Sequence, residues 1–105
     1  MSIVIPTINS IRMRRLLRQK KQALHEVLVK YGANNLRVFG SVAQGTAGPG
    51  SDFDLIVDLQ NPPHGRLLAR AGLATDLAQV LGCSVDIALA SDSFVQEKVR
   101  KVMTV

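Results

Sequence analysis

The chain is expected to fold as a small α/β (α+β) domain, a mixed β-sheet with helices packed on one face and an open face that carries carboxylates. Three observations predict it. Apolar residues recur at helical spacing over 10–31 and 64–81. Short β-rich runs occupy 36–39, 52–59 and 84–89, between those helices and after them. A length of 105 residues suits one domain with a single core. It divides into an N-terminal extension (1–9), a basic amphipathic helix (10–31), a central core (36–90) and a C-terminal helix (91–105).

The first helix has Asn9 or Ser10 as its N-cap and Gly32 as its stop, and Met13, Leu16, Leu17, Leu24, Val27, Leu28 and Tyr31 form its inner face, interrupted at Lys20. Leu36 to Phe39 is a short strand that delivers the chain to Gly40. Residues 45–51 are too rich in Gly and Pro for regular structure and form a crossing loop. Asp52 to Leu59 is the second strand, centred on β-branched Ile56 and Val57 and closed by Asn61-Pro62-Pro63. The helix from His64 to Leu81 carries Leu67, Ala71, Ala74, Leu77, Ala78 and Leu81 on one stripe, with Gly82 beyond its end and Gly72 without an evident role. Ser84 to Leu89 is the third strand. Ser93 and Gln96 match a capping box for a last helix.

Charge is unevenly distributed within a net +5. Residues 1–37 hold eight bases and one acid, a balance of +7, whereas 38–105 hold five bases and seven acids, a balance of −2. Arg12, Arg14, Arg15, Arg18 and Lys21 crowd the first helix. They form either a solvated face or a surface for an acidic partner, nucleic acid or nucleotide phosphates; the lack of interleaved aromatics disfavours a single-strand stacking platform. No apolar run reaches the roughly 20 residues of a membrane span, and the first residues lack the pattern of a signal peptide, so a cytoplasmic location is expected. Cys83 stands alone, and neither His25 nor His64 has metal-ligand spacing.

The chemistry concentrates between Phe39 and Val57. Gly40 permits close approach of a ligand to the backbone, and a short helical turn opening at Ser41 would aim N–H groups and a hydroxyl at an anion. Strand alternation places Asp52 and Asp54 on one face, with Phe53, Leu55 and Val57 on the other. Like charges held so close call for a cation, and Mg²⁺ bound by one or two carboxylates plus phosphate oxygens fits a DxD pair beside a phosphate site. Asp86, between Val85 and Ile87 in a strand, is costly unless paired or metal-bound, and if the apolar triplets of the second and third strands both face the helices it emerges on the face of Asp52 and Asp54.

Gly40-Ser41, ten residues, Asp52-Phe53-Asp54 and a later strand with Asp86 together resemble the nucleotidyltransferase superfamily, whose polymerase-beta-like domain carries the signature GSx10DxD. The length and element order resemble the minimal nucleotidyltransferase group, antitoxins to HEPN-domain ribonuclease toxins. The resemblance covers about residues 24–90. It implies that Gly40 and Ser41 hold nucleotide phosphates, that Asp52 and Asp54 bind metal, and that Asp86 completes the metal site and helps to activate an acceptor hydroxyl. It also implies two Mg²⁺ ions, ATP as substrate, transfer of AMP to a tyrosine of a partner HEPN toxin, and a hetero-oligomer with that toxin. In one respect the chain departs from the pattern: Gln44 stands where such proteins usually have Arg. A weak or inactive member that neutralises its partner by binding is therefore the competing expectation. A basic nucleic-acid-binding module ranks below both, because it leaves the three carboxylates unexplained.

Overall fold

The computed structural model describes residues 5–92, 95 and 101–105. Helix α1 spans Ile8–Gln19 and α2 Lys21–Lys30; strand β1 covers Ala33–Phe39 and leads into the short helix α3, Gly40–Gln44. Strand β2, Phe53–Leu59, is followed by helix α4, Arg66–Leu81, strand β3, Val85–Leu89, and strand β4, Met103–Thr104. The sheet order is β3-β2-β1-β4, with β2 and β3 parallel and the other pairs antiparallel. It is the small mixed sheet with helices that the sequence predicts.

The helix expected over 10–31 is two helices. Its start moves to Ile8, because Thr7 and neither Asn9 nor Ser10 is the N-cap, accepting from the Ser10 N–H. Its break falls at Lys20, in the turn between Leu17 and Leu24 that buries no side chain, so interrupting the helix there sacrifices no packing. Leu17, Leu24 and Leu28 then join Leu73, Leu77 and Leu81 of α4 against Leu36, Val38, Phe53, Leu55, Val57 and Leu89 of the sheet, forming one core.

Strand β1 begins three residues earlier than expected, since Asn35 is an extra residue: the pairing slips between Asn34 and Arg37, and Asn35 has a left-handed φ of 56°. The buried stripe of α4 is Ala69, Leu73, Leu77 and Leu81, whereas Leu67, expected inside, is 82% exposed. Gly72 has a role after all. A Cβ there would collide with the Tyr31 ring, whose hydroxyl donates to Asp76 at 2.7 Å while Lys30 reaches the same carboxylate at 3.1 Å. Those two partners, the Tyr31 hydroxyl first, hold Asp76 below the usual carboxylate range. The C-terminal helix expected over 91–105 is corrected at its end, where Met103–Thr104 pairs with β1 as a strand; its proposed cap, Ser93 with Gln96, lies outside the described residues.

Candidate active site

Asp54 and Asp86 are register partners on the adjacent parallel strands β2 and β3, and so stand side by side on one face of the sheet. Asp52 precedes the strand, which starts at Phe53, and is exposed; Asp86 is exposed and Asp54 half-buried. Further along the same face Ile56 and Ala88, the next pair in register, are buried. Burial pushes the Asp54 carboxyl up from its ordinary range, and the negative charges of Asp86 and then Asp52 add to the effect. A divalent cation relieves that repulsion, and carboxylate oxygens suit Mg²⁺. Among the described residues no three acidic, His or Cys side chains close into a ready ligand cage.

Gly40 and Ser41 open α3 immediately beside Asp54. Phe39 lies opposite Asp54 across β1 and β2, and Gly40 follows with a left-handed φ of 69°. A Cβ at Gly40 would run into Oδ2 of Asp54, so only glycine lets the turn and the carboxylate lie in contact. No side chain caps the start of α3. Backbone donors and a hydroxyl thus sit beside the Asp54 carboxylate, which has Asp86 as its register partner, an arrangement able to bind a phosphate and the cation that accompanies it.

The chain matches the nucleotidyltransferase domain family over residues 19–104. It belongs to that family. A solved candidate minimal nucleotidyltransferase shares 34% identity with it at a TM-score of 0.69, covering 87% of this chain and 94% of the other. A toxin–antitoxin crystallised with AMP-PNP is 26% identical, with a TM-score of 0.53 and coverage of 90% and 72%. A mutant of the toxin–antitoxin MntA–HpeT, at 24% identity, TM-score 0.51 and the same coverage, shows the shared fold. A comparison with curated proteins finds no significant match.

In this nucleotidyltransferase domain, helix α1 fastens the segment between the two motifs, which the sequence did not reveal. Arg14 donates from Nε to the Val42 carbonyl and from Nη2 to the Ala43 carbonyl, both at 3.0 Å, closing the C-terminal end of α3. The Thr7 N–H donates to the Gly45 carbonyl at 2.9 Å, the Thr7 hydroxyl to the Ala47 carbonyl at 2.6 Å, and the Ala47 N–H to the fully buried Ser10 hydroxyl at 2.9 Å. Arg14 is one of five similar bases in the sequence, so nothing local singled it out. Thr7 did carry a readable signal, a hydroxyl residue at the N-cap position of a helix, with Ser10 three residues on.

By proximity in sequence Arg37, Arg66 and Arg70 are the candidates to supply the charge that Gln44 lacks, and all three are engaged elsewhere. Arg37 pairs with Asp58 at 2.7 Å and Arg70 with Asp92 at 2.7 Å, while Arg66 donates to Ser91. Gln44 is exposed. Arg12, which the sequence placed only on the basic face, shares with Asp52 the lining of a cleft of ≈ 340 Å³ bounded by the 48–51 loop.

Proposed function

We propose that this domain is a Mg²⁺-dependent nucleotidyltransferase that moves AMP from ATP to a tyrosine hydroxyl of a partner HEPN toxin and thereby acts as its antitoxin. The observation that carries the reading is the contact of Gly40 with Asp54, itself in register with Asp86. The toxin–antitoxin relative crystallised with AMP-PNP supports the choice of an adenine nucleotide and of a toxin partner.

Asp54 and Asp86, with Asp52 beside them, would hold the cation, which supplies charge neutralisation of the phosphates and of the departing pyrophosphate. Gly40 brings the backbone against the nucleotide phosphates, and the Ser41 hydroxyl donates to a phosphate oxygen. Asp86, exposed at the strand start, accepts the proton of the acceptor hydroxyl. The hydroxyl oxygen bonds to the α-phosphorus as the bond to the pyrophosphate oxygen breaks. Most of the acceleration then comes from positioning and charge.

Incubation with α-labelled ATP, Mg²⁺ and the HEPN toxin is expected to label the toxin, and Asp54→Ala to lower the rate at least about 100-fold. Absence of labelling, or equal labelling by Asp54→Ala, overturns the reading. A second reading, neutralisation by binding alone, is favoured by exposed Gln44 and by the engagement of Arg37, Arg66 and Arg70 away from the acids. It prevails if Asp54→Ala silences the toxin as fully as the parent does.

A further inference from the structure

We infer that the basic cleft between the α1–α2 junction and the outer strand β4 docks an acidic, amphipathic segment of a partner protein. The choice of the HEPN toxin as that partner rests on the function proposed above. The cleft is the larger of two adjoining hollows, ≈ 410 Å³ and ≈ 160 Å³, which share Lys21, Thr104 and Val105. Its floor is apolar: Leu17 and Val38 are buried beneath it, with Met103 alongside, and Leu24, Leu28 and Leu36 continue the floor into the smaller hollow. Its rim is cationic. Arg18 and Lys21 flank the helix break at Lys20, both exposed, and His25 lies one turn on. Among the described residues no Asp or Glu lines either hollow.

Those charges are uncommitted. Arg14, which also borders the larger hollow, is turned to the α3 carbonyls, whereas Arg18 and Lys21 make no ion pair and no side-chain hydrogen bond among the described residues. The complementary ligand therefore presents carboxylates to the rim and apolar side chains to the floor. Nucleic acid meets only half of that description, because its phosphates leave the apolar floor uncovered and the lining, among the described residues, has no aromatic side chain on which a base could stack. A protein segment meets all of it, and β4, the last strand of the sheet on this side, adds an outer backbone edge beside which an extended segment can lie. The floor belongs to the helix-covered face of β1, opposite the one that bears Asp54 and Asp86, so an occupied cleft leaves the acids accessible.

The test uses the full chain and the HEPN toxin. Binding is measured by titration calorimetry for the parent, for Arg18→Glu/Lys21→Glu, for the milder Arg18→Ala/Lys21→Ala, and for Arg15→Glu, an exposed α1 base that lines neither hollow. Charge reversal is expected to weaken binding at least 100-fold and the alanine pair about 10-fold, with Arg15→Glu within twofold of the parent and all melting temperatures unchanged. Toxin affinity unchanged by Arg18→Glu/Lys21→Glu overturns the docking site while leaving the proposed function in place. A parent that forms no complex with the toxin overturns both. Binding of the isolated chain to RNA or duplex DNA that falls steeply with salt and is lost on the same charge reversal, with toxin affinity intact, overturns the protein-segment assignment in favour of nucleic acid.

Discussion

Asp54 meets partial burial and two like charges at once, and each disfavours its ionised form. A carboxyl whose pKa is raised by folding holds its proton more tightly in the folded state than in the unfolded one. Stability therefore falls as pH rises from the unfolded value, about 4, through the folded one. Asp54→Asn is expected to stabilise the fold at pH 7 by about 0.5–1 kcal/mol, a small figure because the group is only half-buried, and to give no gain at pH 3. Thermal denaturation at the two pH values reads this directly; an unchanged or lower melting temperature at pH 7 would show that the acids do not strain the fold. Asp54 and Asp86 were legible because strand parity is geometric: once β2 and β3 are read as strands, their faces follow. The register that makes the two direct neighbours was not legible, since nothing in either strand alone says how the two align. Arg14 was illegible for a related reason: its partners are backbone carbonyls 28 and 29 residues away, and carbonyls leave no mark in a sequence.

At the scale of elements, α2 and α4 are locked by a glycine and a tyrosine. Alanine ordinarily stabilises a helix interior by about 1 kcal/mol relative to glycine. Gly72→Ala is expected to do the opposite, lowering stability by about 1–3 kcal/mol, because the added methyl displaces a Tyr31 ring already tied to Asp76. Chemical denaturation measures it, and pairing with Tyr31→Ala should restore most of the loss that the methyl causes. Helix periodicity revealed α4 but placed its buried stripe partly wrong: Leu67 is exposed, and Ala69 and Leu73 are buried in its place. The two-residue strand β4 and the bulged start of β1 escaped for different reasons. Two residues show no alternation, and Asn34 and Asn35 are poor strand formers, of which Asn34 pairs with Asp58 of β2 and Asn35 is the bulged residue.

For the molecule as a whole, one cluster of buried side chains runs from Leu17 of α1 to Leu89 of β3 and contacts every layer. The chain is accordingly expected to unfold in a single transition, with far-UV and near-UV signals superimposing across a denaturant titration; separate midpoints would show that the α1–α2 pair is an independent unit. The overall architecture was the most readable level, because helices alternating with strands have few ways to bury their apolar faces. The way α1 reaches across to clasp the 45–51 loop was not readable, and it carries a consequence for handling the protein. A stretch so rich in glycine and proline is where proteases usually cut a small domain. Here Thr7 and Ser10 hold its backbone at Gly45 and Ala47, so cleavage within 45–47, unlike cleavage at exposed Pro49 and Gly50, needs the start of α1 to lift first, and the nicking rate there becomes a clock for that detachment.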